Sequence, residues 1–168
     1  MSNTEVLVDA FGRVRAAVAD AVEGLNREQL AFRIDAQANS IAWLVWHLTR
    51  IQDDHIADAA QNPQVWTEQD WVDRFALPFD ERDTGFGHAP EEIAEVRVDG
   101  DLLIDYHDAV HDQTQNYLAR VDENEFGRIV DASWTPVVTV GVRLVSVFAE
   151  GLQHAGQAAY IKGIVLRR

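Results

Sequence analysis

Apolar residues recur at spacings of three and four along four stretches of the chain, and each stretch predicts a long helix. The first covers residues 5–25, with Val6, Phe11, Val14, Val18 and Val22 near one face. The second opens at Asn39-Ser40, side chains suited to an N-cap, and runs to about residue 60 with Ile41, Leu44, Val45, Leu48 and Ile51 facing inward. The third covers residues 101–121 on a stripe of Leu103, Tyr106, Val110, Tyr117 and Val121, and the fourth runs from Thr139 or Gly141 to Leu166. A turn at Asn26-Arg27-Glu28-Gln29 leads into a one-turn helix. Residues 62–100 form a long irregular connection with Trp66, Trp71, Pro78 and the stretch Thr84-Gly85-Phe86-Gly87-His88. Within it, Pro90-Glu91-Glu92 predicts a short helix, because proline followed by acids suits a first turn. A second connector, residues 122–136, carries Trp134. No two segments alternate convincingly as a strand pair, although residues 137–140 could be extended. The pattern predicts a single all-α domain over residues 1–168, a four-helix bundle with a long crossover between the second and third long helices.

Two of the four stripes are interrupted by polar side chains. Val147, Glu150, His154, Ala158, Ile161 and Val165 share one face, and His47 lies with Leu44, Leu48 and Ile51. Polar groups on a core-facing stripe cost free energy unless they find partners. A divalent cation would satisfy His47, Glu150 and His154 together, and bundle interiors are where such sites are built. Two imidazoles and one carboxylate suit zinc with one coordination position open. The same donors also accept nickel, manganese or iron. A lone histidine on an apolar face is more often a satisfied core residue than a ligand, so the argument rests on all three.

Other polar positions predict less. His107 and His111 have ligand-type spacing, but Asp108, Asp112 and Gln115 surround them, which predicts a solvated face. His55 follows Asp53-Asp54 and is expected near the helix surface, the two acids being solvated. His88 lies in a loop where it could cap a pocket or do nothing. Trp43 and Trp46 are expected to pack, with one able to line a cleft. Arg50 and Arg143 could hold a substrate carboxylate, with a surface role the expectation for each. Ser133 and Ser146 lack a base and orienter, which excludes a serine hydrolase. Gly85-x-Gly87 follows no strand and is no nucleotide loop.

Composition narrows the function further. The formal charge is −14, from 28 acidic and 14 basic residues, and such a field disfavours nucleic acid and anionic lipid as partners. No segment is apolar enough to span a membrane, and the start, Met1-Ser2-Asn3-Thr4-Glu5, lacks the regions of a signal peptide. A cytoplasmic protein is expected. There is no cysteine, so disulfides, thiolate zinc sites and a cysteine nucleophile are excluded, and any thiol chemistry needs a thiol from outside.

Asn39-Ser-Ile-Ala-Trp-Leu-Val-Trp-His47-Leu48 resembles the second-helix signature of DinB-like proteins. Glu150-Gly-Leu-Gln-His154-Ala-Gly156-Gln157 resembles their fourth-helix signature. The resemblance spans nearly the whole chain and implies a four-helix bundle with a metal held by three side chains, here His47, Glu150 and His154. A carboxylate at the Glu150 position resembles the mycothiol-dependent branch, with its S-transferases and maleylpyruvate isomerases. It implies an enzyme joining mycothiol or a similar small thiol to a small electrophile, in detoxification. An isomerase working through a transient thiol adduct, a metal-dependent hydrolase and a non-catalytic stress-related metal-binding bundle remain as alternatives on this scaffold. The resemblance also leaves a homodimer open, though no apolar surface face is evident from the residues.

Overall fold

The computed structural model describes residues 2–168, so Met1 lies outside the described residues. Four long helices form the frame: α1 (Asn3–Val22), α3 (Ile41–Ala60), α7 (Gly100–Leu118) and α9 (Val140–Val165). Short helices α2 (Arg27–Leu30), α4 (Val65–Glu68), α5 (Trp71–Phe75), α6 (Pro90–Glu95) and α8 (Glu123–Gly127) decorate the connections. This is the all-α bundle the periodicity predicts, with the crossover from α3 to α7 holding α4, α5 and α6. Among the described residues, no helix is long and apolar enough to cross a membrane.

Local chemistry sets the helix starts. The Ser40 hydroxyl accepts the Trp43 N–H at 3.1 Å, and the Asn26 carboxamide oxygen accepts the Gln29 N–H at 2.9 Å. Pro90 opens α6, and the Glu92 carboxylate turns back to accept the Ala89 N–H at 2.8 Å. α1 and α3 each pack against both α7 and α9, so α3 and α9 are neighbours along their length. That adjacency brings the polar breaks of their two stripes together.

Three expectations need correction. Val6 is 50% exposed and Leu7 takes the core position instead, because the inward face of α1 is drawn by Phe11, Val14 and Val18 one residue out of step with Val6. Trp66 and Trp71 lie in α4 and α5, not in irregular chain, and both are buried around Tyr106. A strand pair also exists: β1 (Ile129–Asp131) runs antiparallel to β2 (Val138–Thr139), the second falling in the segment expected to be extended. Strands this short carry no readable alternation.

Candidate metal centre

Across the α3–α9 interface, His47, Glu150 and His154 each offer a ligand atom, and these atoms all lie within 4.8 Å of one another. His47 Nε2 is 3.3 Å from Glu150 Oε1, and His154 Nε2 is 3.1 Å from the same oxygen. Neither approach has the angular geometry of a hydrogen bond: both carboxylate oxygens are buried with no hydrogen-bond partner. The exposure that Glu150 retains therefore belongs to its stem. An unpartnered buried carboxylate is costly, about 1–3 kcal/mol or more for a charged group.

The outer ring nitrogens fix the tautomers. His47 Nδ1 lies 2.5 Å from the Thr84 carbonyl oxygen, which can only accept, so Nδ1 carries the hydrogen. His154 Nδ1 likewise faces the Gln157 carboxamide oxygen at 3.0 Å. In their neutral forms both rings bring a bare Nε2 close to the carboxylate oxygen without aiming it there. Bare acceptor atoms held this close repel, and a cation among them would turn both contacts favourable. Burial holds the His47 imidazolium below its ordinary pKa, against the raising pull of Thr84 and Glu150. The Glu150 carboxylate raises His154, with burial opposing it. The donor set fits a divalent cation.

A shell of aromatic and loop contacts orients His47. The Trp43 ring stacks on it with centroids 4.5 Å apart and planes 17° apart. Trp43 Nε1–H donates to His88 Nδ1 at 3.1 Å, which leaves His88 Nε2 to donate to Asp83 Oδ2 at 3.0 Å. Asp83 Oδ1 in turn accepts the Gly85 N–H at 2.8 Å. Gly85 has φ +87°, and a Cβ built there would meet Trp46 Cζ3 at 2.8 Å, His47 Nδ1 at 2.9 Å and Trp43 Cζ2 at 3.2 Å. Only glycine lets the Thr84 carbonyl come this close to the imidazole. His88, left open between capping a pocket and having no role, braces the wall behind His47. Trp43 and Trp46 pack as expected.

Arg50 and Asp53 depart from their expected surface roles. Both side chains are 0% exposed. Arg50 Nε donates to the Asp83 carbonyl at 3.1 Å, and Arg50 Nη1 donates to Gln64 Oε1 at 2.9 Å. Asp53 accepts the Val65 and Trp66 N–H groups and the Tyr106 hydroxyl, each at 2.8 Å. The pair thus ties the crossover to the bundle, and Arg50 is not free to hold a substrate. Arg143 is half-buried, its Nη1 3.2 Å from His55 Nδ1 and its Nη2 3.8 Å from Asp131.

His107 and His111 also depart from expectation: both are buried between helices, not solvated. Burial, with a smaller contribution from His111, drives His107 down to about 4, so it is neutral, and its Nδ1–H reaches the Thr49 hydroxyl at 3.0 Å. Their charged neighbours face outward, and Asp108 pairs with Arg15 at 2.7 Å. They do not join the metal-competent cluster.

A family model described as mycothiol S-transferase matches residues 6–165. The chain belongs to the mycothiol S-transferase family. The crystal structure of a conserved protein from Enterococcus faecalis superposes with a TM-score of 0.93 at 30% identity, covering 100% of this chain and 99% of that one. No curated protein matches the chain significantly. Membership of the mycothiol S-transferase family agrees with the DinB-like, mycothiol-dependent branch that the two helical motifs resemble.

Proposed function

We propose that the protein is a metal-dependent S-transferase in which His47, Glu150 and His154 hold a divalent cation while an external small thiol is joined to an electrophile. The observation that carries the reading is the clustering of two imidazole Nε2 atoms around a buried carboxylate with no hydrogen-bond partner. Zinc suits this set, with a coordination position left for water or substrate; nickel, manganese and iron accept the same donors. Family membership supports mycothiol as the thiol, and a chain without cysteine needs its nucleophilic sulfur from outside. A cytoplasmic setting, where small thiols stay reduced, goes with this reading.

When bound, the cation supplies Lewis acidity that favours thiolate over thiol at neutral pH. The chain's own residues act by position. Thr84 and Gln157 hold the Nδ1 hydrogens of the two imidazoles, so each Nε2 stays unprotonated and aimed inward. Trp43 covers one face of His47 and keeps water from it. With an α,β-unsaturated acceptor, one S–C bond forms at the β-carbon. The C=C π pair shifts to the α-carbon, which takes up the proton that the thiol released.

The test is conjugation of mycothiol to methyl acrylate by protein as purified, after chelation, after zinc restoration, and in Glu150→Gln. Activity should vanish on chelation, return with zinc and drop steeply in the variant. Undiminished transfer by fully chelated protein would sink the reading.

A further inference from the structure

A groove lies on the outer side of the candidate centre, beside Gln157. It encloses about 480 Å³, within the range of small-molecule sites, and its walls include Ile34, Leu44, Tyr160 and Ile161. Its lining also includes Gln157, whose carboxamide oxygen faces His154 Nδ1. The groove therefore adjoins a side chain that supports the candidate centre. Two larger hollows, of about 770 and 780 Å³, share no residue with the centre or its supports.

Charge separates the substrates this groove can take. No lysine or arginine lines it among the described residues. The nearby Arg33 is occupied: its guanidinium donates to the carbonyls of Ala36, Ala38 and Pro90. Arg50 is buried in the crossover, as described above. In a chain of net charge −14, a dicarboxylate entering the groove would lose hydration and meet no counter-charge. An alkyl or aryl group would bury its surface against the exposed side chains of Ile34 and Tyr160.

We propose that this groove seats the electrophile, and that the electrophile is an uncharged molecule with an apolar alkyl or aryl body. The inference rests on the transferase reading above and assigns its substrate class. Gly156 also lines the groove, and a Cβ there meets nothing within 4 Å. A larger residue at 156 can thus fill the groove without disturbing the bundle. Ile34 lies in the loop before α3, is 46% exposed, and offers a second handle outside the helices.

The test is direct binding of hexyl propionate, an unreactive ester, by saturation-transfer NMR on metal-loaded protein, with succinate as the dicarboxylate probe. Wild type should bind the ester and not succinate, and Gly156→Leu and Ile34→Asp should each lose ester binding while keeping their metal content. Turnover of methyl, butyl and hexyl acrylate with mycothiol should gain about two- to fourfold in kcat/KM per added methylene, the gain expected for burying one. Ester binding unchanged in both variants, preferential binding of succinate, or turnover independent of chain length would overturn the groove assignment. The last result would still leave the transferase reading standing. Ester binding in the groove without any acrylate turnover would remove the transferase reading and leave an apolar ligand site.

Discussion

Gly85→Ala tests how the crossover shapes the centre, and Gly87→Ala is its control. Both glycines have left-handed backbone, φ +87° and +80°. Forcing alanine into that region costs about 1–2 kcal/mol at either position. At Gly87 a Cβ meets nothing within 4 Å, so the backbone term is the whole effect. At Gly85 it would sit 2.8 Å from Trp46 and 2.9 Å from His47 Nδ1, both buried side chains with no room to retreat. Overpacking of this kind adds about 1–3 kcal/mol, so Gly85→Ala should cost about 2–5 kcal/mol in urea unfolding. The loop that relieves the clash is the one carrying the Thr84 carbonyl. His47 should then lose its acceptor, and such losses weaken metal binding about 10- to 100-fold. Zinc competition titration should show that loss in Gly85→Ala and wild-type affinity in Gly87→Ala. Equal zinc affinity in the two variants would refute the argument that loop approach fixes the His47 ring.

Three further outcomes follow from buried and paired groups. Arg50→Met leaves Asp53 as an uncompensated buried charge and frees the Asp83 carbonyl, so it should cost about 3–5 kcal/mol in urea unfolding; a change under about 1 kcal/mol would contradict the buried pair seen in the crossover. His107 falls from 6.5 to about 4 on folding, so its contribution is whole above pH 6.5 and is lost as pH drops through about 4. That amounts to about 3 kcal/mol, and the unfolding free energy of His107→Gln should vary less than that of wild type across this window. Arg128 and Tyr117 hold Glu125 down at about 2 from 4.5, so its stabilisation is present above pH 4.5 and fades as pH falls toward 2. Glu125→Gln should be less stable than wild type at pH 6, with the gap narrowing below pH 4.5.

The bundle was legible because its four long helices bury wide stripes that the 3.6-residue period exposes. The three polar breaks were legible for the same reason: His47, Glu150 and His154 stand out where only apolar residues fit. Asp53, His107 and His111 were misread because each has a charged neighbour, and Arg50 because it carries a charge itself; local composition does not reveal what arrives from elsewhere in the chain. Asp53 is satisfied by N–H groups of Val65 and Trp66 and by Tyr106, partners that only the folded crossover delivers. Thr84 on His47 was hidden in the same way, since a carbonyl carries no residue signature. A glycine pair beside a histidine, Gly85-Phe86-Gly87-His88, was the one available signal that backbone there approaches something closely.

The central claim is that one divalent cation sits between α3 and α9, and elemental mass spectrometry of purified protein tests it most directly. Wild type should carry about one equivalent of zinc or a similar ion, and His47→Ala and His154→Ala, folded by circular dichroism, should carry little. A wild type that is metal-free and takes up no added zinc, nickel, manganese or iron would contradict the account, leaving Glu150 a buried carboxylate between two histidines.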